Sequence, residues 1–328
     1  MSIGSLARLR PLTRPASGWY FVEVLGGKMP LRKDASIIAD LVLLTVAFVW
    51  GITFIIVKQA IAEVGVYPFL FVRFTLAFLL MILIFAKRLR RLDRFVFFSG
   101  CVLGVFLFLA YAFQTTGLAY TSASNAGFIT GLNVVFVPIF STVMFKQMPR
   151  PLTVLGIILA TIGLFLLTGG YWDGFNRGDV LTLACAICYA LHILCTGRYA
   201  PIMDVYLLAT VQIGVVALFS FPFAISSLSS FPSGIPISVW KSIIFTGLFA
   251  TVFAFVAQTR AQRFTPPARA ALILLMETLF CAITARFYGG ETLPIMALAG
   301  GMLMVIGMAL AELGHIRDRK VKEMGPSL

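Results

Sequence analysis

Charge is what this chain has least of. Only 12% of its 328 residues are Asp, Glu, Lys or Arg, 60% are hydrophobic, and mean hydropathy is +0.98. Soluble domains carry about 25% charged residues, so this chain has too little polar surface to cover a fold in water. Hydrocarbon must be the solvent for most of it. Histidine is nearly missing, with only His192 and His315. Of the five cysteines, Cys185 and Cys188 have a metal-like spacing. They sit among apolar residues with no second ligand pair, so the cysteines read as packing residues and no metal or cofactor is expected. The chain lacks a Walker motif, a dinucleotide-binding glycine pattern and a zinc-protease motif, which argues against energy from ATP hydrolysis. It also lacks a signal peptide's apolar core and cleavage site. The N-tail, 1–36, is basic and expected to be disordered. Residues 1–28 read either as an extension or as a misplaced start, because Met29 opens MPLRKDAS just before the first apolar run.

What the chain has instead is long apolar runs. Ten are expected to span or nearly span a bilayer: about 37–57, 66–86, 94–114, 123–145, 152–170, 180–197, 204–225, 239–258, 267–288 and 294–312. Each is roughly 18–23 residues, or about 27–34 Å of helix. Strands of a membrane barrel would be ~10 residues with alternating polarity, whereas these runs are solidly apolar. The expected fold is therefore all-α and integral to the membrane.

A net charge of +13 suggests nucleic acid until the charges are located. Of the 26 Lys and Arg, 21 fall on one set of alternate loops and in the two tails. The other loops carry Lys58, Arg177, Lys241 and Arg286, and Arg73 lies inside a run. The positive-inside rule then puts both termini in the cytoplasm of a multi-pass cell-membrane protein, with no nucleic-acid partner.

The runs are written twice. From Gln114-Thr115 and Gln258-Thr259 an offset of 144 carries on without a gap, matching Thr121 with Thr265, Gly156 with Gly300 and Gly163 with Gly307. Earlier in the chain an offset of 139 matches Asp40 with Asp179, Trp50 with Tyr189 and Arg73 with Gln212. Five helices per copy is an odd number, so the second copy enters from the opposite face and equivalent loops should exchange charge. They do: Thr116, Ala119 and Asn125 correspond to Arg260, Arg263 and Arg269. The expectation is two inverted five-helix repeats, 37–170 and 178–312, with a basic C-tail at 313–328.

FVWGITFIIVKQA in the first run, the Arg of YPFLFVRF in the second and YAFQTTGLAYTSASNAGFI at the third-to-fourth turn resemble the drug/metabolite transporter superfamily, EamA type. So do GDVLTLACAICYAL, AQRFTPPARAALILLMETLF and GGETLPIMALAGGMLMVIGMAL in the second copy. The likeness covers roughly 35–315. It implies ten helices in two repeats and transport of small metabolites, often outward. The family often has a Glu after its fourth and ninth helices. Glu291 fits that pattern, but its partner position is Gln147.

Ionisable groups inside a span cost about 2.5–3.5 kcal/mol at its centre on insertion scales, so each needs a partner or a cavity. Arg73 would hold an anionic group through paired hydrogen bonds, or else snorkel. Glu277, matched to Asn133, would bind a cationic group or a proton, or else pack between helices. His192 could relay protons, although a packing histidine is the plainer reading. Gln114 and Gln258, a symmetry pair, could line the two mouths. Trp50, Tyr111 and Tyr189 could wall a pocket, away from the interfacial belt where such rings anchor. Gln212 keeps a polar group at the mate of Arg73. Gly156, Gly163, Gly300, Gly301 and Gly307 would let the fifth and tenth helices pack closely as a scaffold or dimer face, while Pro68, Pro138 and Pro222 mark kinks.

Together these point to a secondary transporter, not an enzyme, that moves a small metabolite such as an amino acid by alternating access, in the export direction. The partners are a solute and the bilayer, with a coupling proton left open, in a monomer or homodimer. A drug-type exporter of hydrophobic cations is the alternative. A multipass membrane enzyme is a distant third, because the loops lack polar catalytic clusters.

Overall fold

The computed structural model describes residues 33–117, 120–121, 123–146, 148–149, 151–167, 176–228, 235–288 and 295–323. Apolar runs become helices because hydrocarbon offers the backbone no outside partner for its N–H and C=O groups. The helices are α1 (Lys33–Val64), α2 (Val66–Leu89), α3 (Arg94–Gly117), α4 (Ala123–Gly131), α5 (Asn133–Phe145), α6 (Pro151–Leu167), α7 (Arg177–Tyr199), α8 (Val205–Leu228) and α9 (Ile237–Phe245). A π-helical segment (Thr246–Phe253) joins α9 to α10 (Ala254–Ala261), followed by α11 (Pro267–Leu274), α12 (Met276–Tyr288) and α13 (Ile295–Glu323). No strand occurs among the described residues.

Eight stretches are long and apolar enough to cross a membrane: Ala35–Thr53, Val66–Leu89, Arg94–Gly117, Ala126–Met144, Arg177–Tyr199, Val205–Ile225, Ile237–Ala261 and Pro267–Thr284. The fifth and tenth expected runs appear as shorter apolar helices, Pro151–Leu167 and Ile295–Ala311. The expected ends at 168–170 and 294, like Gln147 and Glu291, lie outside the described residues.

The breaks do not fall where proline predicts. Pro138 sits inside α5 and Pro222 inside α8. Pro68 lies in the first turn of α2, where its missing N–H is no loss. The fourth run breaks instead at Leu132 (φ −62, ψ −9), and the ninth at Leu275 (φ −58, ψ −22). Each break tightens one turn to an i→i−3 bond, Val135 N to Leu132 O at 2.9 Å and Thr278 N to Leu275 O at 3.1 Å. The two breaks are near-equivalent in the repeat and put Asn133 and Glu277 just beyond them. Asymmetry appears in the eighth run, which contains the π-helical segment, whereas its counterpart α3 is uninterrupted. Gly65, with φ 79, closes α1 and lets α2 start at once.

α6 packs against α13 more extensively than any other helix pair, and the glycines are the reason. A Cβ on Gly156 would lie 2.4 Å from the Gly307 carbonyl oxygen, and one on Gly163 would lie 2.5 Å from that of Gly300. Position rises along α6 as it falls along α13, so the two helices are antiparallel. Exchanging each glycine for its repeat mate turns one contact into the other. The same exchange relates other contacts: α2 packs on its own counterpart α8, and α3 on α7 is answered by α10 on α1. Two apolar clusters fill the middle. One surrounds Leu43, Val134 and Leu272, the other Phe74, Leu107 and Ile213, and the ring of Trp50 touches both.

Candidate transport site

Arg73 is buried, 3% exposed, on the face of α2 that meets the π-helical segment. Its Nε donates to Thr251 Oγ1 at 2.9 Å and its Nη2 to the Ala250 carbonyl at 3.4 Å. The guanidinium also lies over the rings of Phe74 and Tyr111, at 5.3 and 5.7 Å from their centroids. Trp50 Nε1 donates to the same Ala250 carbonyl at 2.9 Å. A π-turn shifts the backbone hydrogen-bond register, and here α1 and α2 both bond to a carbonyl within it. Thr251 returns its hydroxyl to Thr246 O at 3.0 Å.

Rings line the space beside it. Tyr111 packs edge-on to Phe74 at 5.1 Å and to Tyr189 at 6.0 Å, and Trp50 lies 5.4 Å from Phe255. Trp50, Tyr111 and Tyr189 are each half-buried. Glu277 is half-buried as well, just past the Leu275 break. α1 passes close behind it, since a Cβ on Gly51 would lie 2.8 Å from the Glu277 carbonyl oxygen. Among the described residues nothing hydrogen-bonds or ion-pairs with that carboxylate. Gln114 and Asn133 adjoin this group through Thr130: Gln114 Nε2 donates to Thr130 Oγ1 at 3.5 Å and Asn133 Nδ2 to Thr130 O at 2.9 Å. The Asn133 Oδ1 is buried without a partner among the described residues.

The other expected residues are bonded elsewhere. His192, 1% exposed, donates through Nε2 to Gln212 Oε1 at 2.7 Å, and Gln212 Nε2 reaches Thr259 Oγ1 at 3.4 Å, which ties α7, α8 and α10. Gln258 donates along its own helix to the capping Gln262 Oε1 at 3.2 Å, and Gln262 Nε2 donates to Ile193 O on α7 at 2.9 Å, while Gln258 Oε1 is buried without a partner among the described residues. The structure thus brings Trp50, Arg73, Tyr111 and Tyr189 together, places the backbone of Glu277 against Gly51 next to Trp50, joins Gln114 and Asn133 through Thr130, and leaves His192 on the far side of Phe255 with Gln212.

Sequence reasoning did not single out the residues that cross between the repeats near the helix ends. Asp40 accepts from Thr265 Oγ1 at 3.0 Å and pairs with Arg269. Its mate Asp179 accepts from Thr121 Oγ1 at 2.5 Å, while also closing a capping box with Asn176 at the start of α7. Thr121 is the mate of Thr265, so each bond is the other's image under the repeat. The signal was available: an acid opens the first helix of both copies, and a threonine follows the third helix of both.

A multi-helix apolar bundle with a buried polar centre belongs to the class of multi-pass membrane proteins. The family model for the EamA-like transporter family matches the chain twice, over 37–169 and 176–313, and the chain belongs to that family. It is 33% identical over 293 residues to a protein of Archaeoglobus fulgidus named as an uncharacterized transporter, covering 89% of this chain and 91% of that one. It is 27% identical over 261 residues to the uncharacterized transporter YyaM of Bacillus subtilis, covering 74% and 82%. It is 24% identical over 302 residues to a WAT1-related protein of Arabidopsis thaliana, covering 82% and 86%. A solved crystal structure matches with a TM-score of 0.69 at 19% identity, over 84% of this chain and 97% of that one, which is a likeness of fold. Family and relatives make the chain a transporter rather than an enzyme.

Proposed function

We propose that the chain is a secondary transporter of the cell membrane with both termini cytoplasmic, built from inverted repeats at 37–170 and 178–312. It moves a small polar metabolite, an amino acid or a related compound, by alternating access and in the export direction. One observation supports this most: the contacts between the repeats come in exchange-related pairs, Asp40 to Thr265 with Asp179 to Thr121, and Gly156 to Gly307 with Gly163 to Gly300. Two antiparallel copies of one bundle have two conformations related by exchange, one opening to each face. In this reading α6 and α13 are the scaffold. The Asp40 and Asp179 bonds act as latches at opposite ends of the pathway, each released when the other half-cycle begins.

Flux in proteoliposomes across a broad metabolite panel tests transport, and folded protein that moves no member of the panel refutes it. The inversion has its own test. In a chain stripped of its five native cysteines, single cysteines replacing Arg90 and Ser233 should react with an impermeant maleimide from opposite sides. Reaction from one side only would remove the inverted arrangement. The alternative, export of hydrophobic cations, has a specific observation in its favour: among the described residues the carboxylate of Glu277 has no hydrogen-bond or ion-pair partner.

A further inference from the structure

α2 and α8 are each other's counterparts and pack side by side, so the two ends of their interface should look alike. In geometry they do. At one end Tyr67 shares a hydrogen bond with Thr116, 3.1 Å between hydroxyls, and stacks on Phe223 with ring centroids 4.9 Å apart. At the other end its mate Tyr206 accepts from Arg260 Nη1 at 3.2 Å and lies 5.0 Å from Phe85. Arg260 is the mate of Thr116, and the mate of Phe85 is Ala224, next to Phe223. In charge the ends differ. Arg88 joins the second end, with its guanidinium 4.5 Å from the centre of the Tyr206 ring and its Nη1 donating to Asp204 Oδ2 at 2.8 Å. The uncharged end closes with a hydroxyl and a ring, so closing this corner does not require two arginines. A half-exposed ion pair such as Arg88 with Asp204 adds little to stability. Setting topology needs basic residues on this side of the membrane, not two aimed at one tyrosine.

Both arginines keep donors free. A guanidinium is a fork of several N–H groups, and each here uses one on the protein. Asp204 is shared between Arg88 and the start of α8, where its Oδ1 accepts from Tyr206 N at 2.9 Å and Leu207 N at 3.3 Å. Arg260 is exposed and has no acidic partner among the described residues. Each arginine also ends an apolar, exposed flank. Ile84 stands one turn before Arg88 and Phe253 two turns before Arg260, and they are 61% and 43% exposed. Free guanidinium donors below an apolar flank, at the end of a membrane span, match a phosphate below its acyl chains. We propose that the corner where α2, α8 and α10 end binds the headgroup of an anionic phospholipid. Its phosphate lies between Arg88 and Arg260 beside Tyr206, and its chains run along Ile84 and Phe253. Arg88 belongs to the first copy and Arg260 to the second, so one lipid ties the two copies at this end. The site needs only a chain that spans a bilayer, and it stands whether or not the transport reading does.

The purified full chain in detergent micelles is titrated with phosphatidylglycerol, or with phosphatidylcholine of the same acyl chains, and bound lipid is counted by native mass spectrometry. Physiological ionic strength is used, because it screens exposed charges more than about 8 Å apart. Phosphatidylglycerol is expected to bind more tightly than phosphatidylcholine. Arg88→Gln with Arg260→Gln should weaken it about 30-fold, as for two lost arginine contacts. Arg90→Gln with Arg91→Gln removes the same charge from the same loop region and should change affinity by about 3-fold or less. Arg260→Gln alone leaves the Arg88–Asp204 pair in place and should lose about 5-fold, which keeps the test open if the first double variant does not fold. Melting curves give a second readout: phosphatidylglycerol should raise the melting temperature of the parent and of the Arg90, Arg91 variant, each against its own value in phosphatidylcholine, and leave that of the Arg88, Arg260 variant unmoved. Equal losses in the two double variants would mean attraction to bulk surface charge and overturn the site, as would equal affinity for the two lipids. Displacement of the lipid by an equal concentration of inorganic phosphate would mark a site for soluble anions and overturn the lipid assignment.

Discussion

The two latches make a prediction with opposite signs. Asp40→Asn removes the ion pair with Arg269 and leaves only a neutral acceptor for Thr265. The paired side chains are 6% exposed on Arg269 and 14% on Asp40, so solvent screens little of the interaction. A hydrogen bond to a charged group contributes about 1.5–3 kcal/mol, and the released ends rehydrate in the other state, so a net loss of about 2–3 kcal/mol is reasonable. At 1.4 kcal/mol per decade that moves the conformational balance by roughly 30- to 100-fold. Asp179→Asn loses less. The Asn176 cap is local to the start of α7, so of the carboxylate's own bonds the one to Thr121 crosses between repeats, beside a 3.4 Å donation from Asn176 Nδ2 to the same hydroxyl that the variant keeps. Making that one bond neutral costs ~1.5 kcal/mol, or about 10-fold, because charge-assisted bonds are roughly twice as strong as neutral ones.

The assay is the reactivity of a cysteine replacing Thr130, half-buried beside Gln114 and Asn133, in a background free of native cysteines. An impermeant maleimide is added to the inside or the outside of oriented vesicles. Asp40→Asn should raise labelling from one side, and Asp179→Asn should raise it from the other by a smaller factor. Melting curves in detergent confirm that both variants are folded. If both variants raise labelling from the same side, or if neither changes it while folded, the latches do not gate the pathway and the exchange-related contacts are scaffold alone.

Two further variants probe the scaffold and the π-helical segment. Gly156→Val pushes a side chain into the Gly307 backbone, where even a Cβ would lie 2.4 Å from the carbonyl oxygen. It should separate α6 from α13, costing roughly 1–3 kcal/mol or more, seen as a lower melting temperature and poor folded yield. Trp50→Phe keeps a ring but loses the 2.9 Å bond to Ala250 O. It should cost about 1 kcal/mol of stability in a melting curve, while Trp50→Ala, which also gives up the ring's packing on Phe255, should cost about 3 kcal/mol or more.

The helices were legible because apolar runs of spanning length have one backbone solution in hydrocarbon. The close packing of α6 on α13 was legible too, from glycines such as Gly156 and Gly163 at helical spacing. The breaks at Leu132 and Leu275 were not. Leucine has no intrinsic preference for a break, and the two prolines expected to mark kinks, Pro138 and Pro222, lie inside continuous helices elsewhere. The π-helical segment was invisible for a similar reason: TGLFATVF has no proline and a single glycine, Gly247, of a kind many of these helices carry, and the bonds from Trp50 and Arg73 that meet it come from helices far away in sequence. His192 and Gln212 each read as polar groups needing a partner, but only the fold says that they satisfy one another at 2.7 Å. Glu277 was found from its cost alone, and only the structure shows that no described residue partners it.

Where the repeat is obeyed, contacts come in matched pairs, as in the α6–α13 glycines and the two aspartate bonds. The candidate site gathers where it is broken: Arg73 against Gln212, Glu277 against Asn133, and the π-helical segment against the unbroken α3. A solute near the exchange axis would meet positions from both copies, so one charge is enough and either copy could carry it. Asn133 and Glu277 hold equivalent positions in the two copies, each just past a break. The exchange variant Asn133→Glu with Glu277→Asn should therefore recover a measurable part of any solute flux in proteoliposomes that Glu277→Asn alone loses. Folded double variant with no recovery would mean that the carboxylate must stand on α12, so that the site is fixed by local geometry and not by the axis.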